Sequence, residues 1–258
     1  MSTLLDDILA PGRLSVVFQP ILDMSDARSR LFALECLIRG PHGTNVESAE
    51  VLFDYVRRKR AEAAVDRACV AAALADAAHI PGEPRLSLNV HAWTLGRDPG
   101  FRAFLLEQAH EARIDPRRLV VEIVEHAPLL DVPAFRRTLS ELRASGIAIA
   151  LDDVGLGQSN YRMILDVRPD IYKLDRYLVS GAWSDPHRQI ILDSLARMVR
   201  RLEARAVAEG VEDHHELVAV EAAGIDLVQG FLFSRPLSRA DLLASGFLPD
   251  PAPAVAPP

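Results

Sequence analysis

Five times along this chain a short apolar run ends on an acidic or amide side chain: Leu31–Glu35, Arg85–Asn89, Leu119–Glu122, Ile147–Asp153 and Arg205–Glu209. Runs of this length, rich in Val, Ile, Leu and Ala, read as buried strands, and helical periodicity separates most of them. A chain that alternates strand and helix in this way packs its strands in parallel, so the carboxylates converge at one end of the sheet. In an α/β barrel that end carries the chemistry, because its loops vary while the packed strands hold position. A ring of hard oxygen ligands there suggests Mg²⁺ or Mn²⁺ and a phosphate.

Length agrees with one such barrel. The chain has 258 residues, 49% of them apolar, and roughly 250 residues is the usual size of a (β/α)₈ barrel. The formal net charge of −7 gives no basic field for a nucleic-acid polymer, while a small anionic substrate held through metals remains allowed. The start, MSTLLDDILAPGR, has neither the basic stretch nor the long apolar stretch of a signal peptide. Nothing later reaches the ~18 unbroken apolar residues of a membrane span. A cytoplasmic location is expected. Cys36 and Cys69 lie in apolar contexts and read as buried reduced thiols. The histidines show no zinc spacing, and the adjacent pair His214 and His215 opens a helical segment as a solvated pair.

A lead-in over residues 1–12 ends at Pro11-Gly12, a barrel occupies 13–247, and a Pro/Ala-rich tail fills 248–258. Expected strands are 14–21, 31–39, 85–90, 119–124, 147–151, 171–174 and 204–208, with a short one near Leu227. Helices are expected over 49–59, 62–79, 101–113, 134–144, near Tyr161, and over 187–202 and 214–223. Only the polar turn SDARSR divides the first two strands. A parallel crossover needs a dozen or more residues, so this pair should be antiparallel. The fold class is a TIM-like (β/α)₈ barrel with an antiparallel early strand pair.

The motifs QPI (Gln19–Ile21), ECLIR (Glu35–Arg39), Leu88-Asn89, EIVE (Glu122–Glu125), DDVG (Asp152–Gly155), KLD (Lys173–Asp175), AEGVE (Ala208–Glu212) and QGFLFSRPL (Gln229–Leu237) occur in this order. In that order the chain resembles the EAL domain, a family of bacterial cyclic-di-GMP phosphodiesterases and related receptors. The resemblance implies that Glu35, Asn89, Glu122 and Asp152 are ligands of one metal, while Asp152, Asp153 and Glu209 surround a second. Lys173 matches the lysine that touches the attacking water, so Lys173, Glu35 and Glu209 are the implied catalytic set. Arg39 matches a residue on a substrate phosphate, and Gln19 and Gln229 fall at the substrate rim. Glu125 and Glu212 match supporting carboxylates. Implied cofactors are two Mg²⁺ or Mn²⁺ ions, with Ca²⁺ inhibitory because its larger, looser shell suits such a site poorly.

Two divalent ions roughly 3.5–4 Å apart can clamp the oxygens of a phosphodiester and acidify water. The expected reaction is hydrolysis of cyclic-di-GMP to linear pGpG. The alternative is a non-catalytic cyclic-di-GMP receptor or interaction module on the same barrel, which would be expected to lack some metal ligands that this chain retains. Two departures from the family pattern stand out: Cys36 replaces the usual alanine, and Val154–Asn160 lacks a threonine and two aromatic rings of the usual loop. The resemblance also implies a homodimer beside that loop, at a surface with Leu156, Gln158 and Tyr161, and a regulatory partner protein as one source of input.

Overall fold

The computed structural model describes residues 3–26, 29–124, 131–155 and 161–248. Eight strands close a barrel in sequence order: β1 (Ser15–Asp23), β2 (Arg30–Arg39), β3 (Arg85–His91), β4 (Leu119–Val124), β5 (Ala148–Val154), β6 (Ile171–Leu174), β7 (Arg205–Ala208) and β8 (Leu227–Val228). Around them lie α1 (Leu4–Leu9), α2 (Ala49–Lys59), α3 (Glu62–Ala77), α4 (Ala92–Arg97), α5 (Phe101–Glu111), α6 (Val132–Ala144), α7 (Tyr161–Val167), α8 (Arg176–Val179), α9 (Pro186–Arg201), α10 (His214–Ala222) and α11 (Arg239–Ala244).

The early strand pair is antiparallel, as its short turn requires, with Gln19 opposite Glu35 and Ser15 opposite Arg39. The irregularity extends further, since β1 also closes the barrel antiparallel to β8. One strand therefore runs against the other seven, which are parallel to one another.

The parallel strands are buried on both faces, which is why they read as near-continuous apolar runs rather than alternating ones. Inside the barrel, Ile21, Ala33, Val120, Ala150, Ile171, Val207 and Leu227 form a compact apolar layer. Outside it, a larger cluster fills the space between strands and helices. Helix α6 shows the local logic: Phe135, Leu139 and Leu142 recur on one face and are buried, Pro133 sits in the first turn, and the Asp131 side chain accepts from the Ala134 amide. Helix α1 is held likewise, with Ile8 fully buried in the main core.

Helix α3 carries a buried carboxylate, Asp66, that reaches across to the end of β3. It accepts from the His91 amide at 3.0 Å and the Thr94 hydroxyl at 2.5 Å, and lies 2.7 Å from His91 Nδ1. Asp66 thereby satisfies the backbone amide of His91, the residue that precedes α4, a donor that in a capping box goes to a side chain within the first turn. Cys36 and Cys69 are both buried and free. Among the described residues no helix is long and apolar enough to cross a membrane.

Candidate active site at the C-terminal rim of the barrel

Lys173, from β6, stands on top of the apolar layer at 2% exposure. Its Nζ lies 2.5 Å from Glu122, 2.8 Å from Glu209, 3.1 Å from Glu35 and 3.6 Å from Asp152. Four strands deliver these carboxylates, and strand register explains their meeting: Asn89 pairs with Glu122 between β3 and β4, and Gln19 with Glu35 between β1 and β2.

Amide groups hold the cluster in shape. Asn89 Nδ2 donates to Glu35 Oε1 at 3.0 Å, and Gln229 Nε2 donates to Glu35 Oε2 at 2.6 Å. The same Gln229 amide lies 3.2 Å from Gln19 Oε1, and Gln19 donates to the Ser234 carbonyl oxygen at 3.2 Å. Below Glu122, the buried Ser87 hydroxyl donates to Oε2 at 2.8 Å. That contact was not anticipated. The period-two alternation of a strand puts Ser87 on the face of Asn89, which is the signal that could have found it.

The adjacent aspartates reach the rim through a backbone device. The register of β5 against β6 shifts between Leu151 and Val154, and Asp153 has φ +51°. A flat strand would send neighbouring side chains to opposite faces, whereas a bulge with one left-handed residue re-aims them. Aspartate is among the few non-glycine residues that tolerate that conformation. Asp152, Asp153 and Glu209 each offer an oxygen, all within 4.8 Å of one another.

Electrostatics separates the members. Burial pushes the Glu209 carboxyl up, Lys173 opposes this, and Asp152 and Glu35 reinforce it, so that it reaches about 8. Partial desolvation with the charges of Asp152 and Asp175 lifts Asp153 to about 6. Glu122 is driven well above the ordinary range by burial and then by Glu35, and Asp152 rises for the same reasons. For Glu35, Lys173 and the two amides outweigh burial and hold it low. Burial alone would lower the lysine, but the four carboxylates raise it.

The donor set fits divalent metal. Glu35, Glu122, Asp152 and Glu209 face the Lys173 ammonium, and Asp153 adds a carboxylate beside Asp152 and Glu209, so that among the described residues of the cluster carboxylates outnumber cations. All the donors are hard oxygens, the preference of Mg²⁺, Mn²⁺ and Ca²⁺.

The remaining expected residues lie around this cluster. Arg39 ends β2 and donates to the Ile38 carbonyl oxygen at 2.9 Å. Glu212 pairs with Arg176 at 2.9 Å instead of joining the lysine cluster. Glu125, Leu156 and Gln158 lie outside the described residues. Tyr161 is described, on the surface of α7 at 72% exposure.

Comparison with known proteins gives the same picture. The model of the EAL domain matches residues 2–236. The cyclic di-GMP phosphodiesterase NbdA of Pseudomonas aeruginosa is 29% identical over 254 residues, covering 91% of this chain and 30% of that protein. The antirepressor BluF of Escherichia coli is 28% identical over 60% of this chain and 38% of its own length. Among solved structures, the calcium and cyclic-di-GMP complex of Klebsiella pneumoniae BlrP1 is 30% identical with a TM-score of 0.77, over 87% of this chain and 56% of that one. A standalone Vibrio cholerae protein with cyclic-di-GMP bound is 28% identical with a TM-score of 0.76, over 86% and 92%. This chain spans well under half the length of the curated relatives it matches.

Proposed function

This chain belongs to the EAL domain family, and on that premise we propose that it is a metal-dependent phosphodiesterase that opens cyclic-di-GMP to linear pGpG. The observation that carries this reading is the Lys173 ammonium set among four carboxylates at 2.5–3.6 Å on the barrel rim. Glu35, Asn89, Glu122 and Asp152 would hold one divalent ion, and Asp152, Asp153 and Glu209 a second. Bound there, such ions supply positive charge to phosphodiester oxygens and make water a stronger acid.

The chain's own groups do the rest. Lys173 keeps its proton, because its carboxylate neighbours raise its pKa. Its ammonium, held at 2.5–3.6 Å from four carboxylates, is placed to donate a hydrogen bond that orients the attacking water. Asn89 and Gln229 fix both oxygens of Glu35, so this carboxylate cannot swing away as charge develops, which is the essence of preorganisation. Arg39, Gln19 and Gln229 contact the substrate at the rim, and Glu125 and Glu212 support the surrounding loops.

Incubating the purified chain with Mg²⁺ or Mn²⁺ and cyclic-di-GMP, then separating the nucleotides, tests the reading. Linear pGpG should accumulate, and Ca²⁺ should suppress it. Tight binding of cyclic-di-GMP with no product in either metal would instead favour the receptor reading, which the similarity to an antirepressor keeps in view. The same reading includes a cytoplasmic homodimer, supported by the exposed Tyr161 and Leu165 (69%) on α7, and control by a partner protein. Sedimentation at two concentrations tests the dimer.

A further inference from the structure

A cleft of about 300 Å³ opens beside the carboxylate cluster, with Gln19, Glu35, Glu209, Arg176, Gln229 and Phe231 in its walls. It shares Glu35 and Glu209 with the proposed metal site, yet its far wall has a different chemistry. Phe231 is 45% exposed there. Gln229 Oε1 is buried without a hydrogen-bond partner among the described residues, so a lone pair remains for a donor that none of them supplies. Arg176 is the cleft's cation.

Its placement is specific. The Arg176 shaft lies flat across Gly210, where an added Cβ would come within 2.5 Å of Arg176 Cγ. Gly210 also has φ +65°, so backbone and contact both demand glycine directly after Glu209. The guanidinium reaches Glu212 at 2.9 Å, with side-chain exposures of 57% and 37%. An ion pair this exposed contributes little stability, so the arrangement is not explained as a structural clamp.

Charge supplies the reason. Five carboxylates against one ammonium leave a formal excess of four negative charges, which two divalent ions would cancel without surplus inside the cluster, so a second phosphate needs a cation from outside it. A cyclic dinucleotide brings two anionic phosphodiesters, and only one can occupy the metal centre. Resting on the function proposed above, we propose that Arg176 binds the phosphodiester that is not being cleaved, and so selects dinucleotides over substrates with a single phosphodiester. Glu212 holds the guanidinium in place until the phosphate arrives. Arginine suits this task because its planar fork matches phosphate oxygens.

Steady-state kinetics with two substrates tests the proposal: cyclic-di-GMP, with two phosphodiesters, and bis(p-nitrophenyl) phosphate, with one. For Arg176→Ala, kcat/KM on cyclic-di-GMP should fall roughly 10- to 100-fold, the range of a charge-assisted hydrogen bond, mainly through KM. The value on bis(p-nitrophenyl) phosphate should stay within about twofold, and Arg176→Lys should recover part of the loss. Calorimetric titration of cyclic-di-GMP into the metal-free full chain should show a similar loss of affinity, with an unchanged urea midpoint. Equal losses on both substrates, unchanged kinetics on cyclic-di-GMP, or a lowered urea midpoint would each overturn the assignment. A parent chain that cleaves neither substrate would refute the enzymatic reading, and the calorimetric ratio would then decide the role of Arg176 alone.

Discussion

Replacing Lys173 with methionine removes the one cation from the cluster while keeping a similar shape, and the consequence can be worked out from the four distances of 2.5–3.6 Å. Removing one partner of a buried ion pair costs about 3–5 kcal/mol, because the other is left buried and uncompensated. Against a domain stability of about 5–15 kcal/mol that is a large fraction. The metal-free variant at pH 8 should therefore show a much lower urea midpoint by circular dichroism. The pH dependence has a definite sign. Glu209 sits near 8 in the folded chain, far above an unfolded carboxyl, so folding takes up a proton. The contribution of Glu209 is then greatest in acid and is lost as pH rises from the unfolded carboxyl range through about 8, by up to about 1.4 kcal/mol per unit for each such group. Without Lys173, which lowers Glu209, the slope should steepen, and lowering the pH from 8 to 6 should recover part of the loss. Mn²⁺ at about a hundredfold excess over its Kd should restore roughly 2.7 kcal/mol. A Lys173→Met variant that matches the parent in EDTA at pH 8 would show that the buried carboxylates do not need the ammonium to offset their charge.

Three further outcomes are expected. Glu35→Ala should lose turnover by orders of magnitude with its circular dichroism retained, since it removes a proposed ligand and relieves crowding; unchanged product formation would refute its role. Ser87→Ala frees Glu122 Oε2 and should weaken Mn²⁺ binding at least about tenfold, as loss of an outer hydrogen bond to a ligand typically does, with calorimetry as the check. Asp66→Ala strands two donors at 2.5–3.0 Å and the His91 ring, so the urea midpoint should report a loss of about 3 kcal/mol or more; a loss below about 1 kcal/mol would mean that water replaces the carboxylate.

The strand ends carrying Glu35, Asn89, Glu122, Asp152 and Glu209 were legible because a run of β-branched and aliphatic residues marks a buried strand wherever it occurs. The antiparallel start was legible from one short turn. What escaped depends on partners distant in sequence. The His91 amide ahead of α4 finds its acceptor in Asp66, 25 residues earlier, and no side-chain cap announces the helix. Closure of β1 onto β8 rests on a two-residue strand, too short for any periodicity. The left-handed φ of Asp153 arises from a bulge set by the pairing of β5 and β6. Arg176 reads as one more surface arginine until Gly210 is seen beneath it.

The reversed direction of β1 decides from which side the chain enters its own barrel. In a uniform (β/α)₈ barrel the first strand starts at the inert floor, far from the chemistry. Here Ser15, the start of β1, lies opposite Arg39, the last residue of β2, so the polypeptide arrives at the reactive rim and first descends. Gln19 rides on that descending strand, hydrogen-bonded through Gln229 to the same network as Glu35. A pull or twist that reaches Ser15 is thus applied at the active end and meets Gln19 four residues later, instead of crossing the whole height of the barrel.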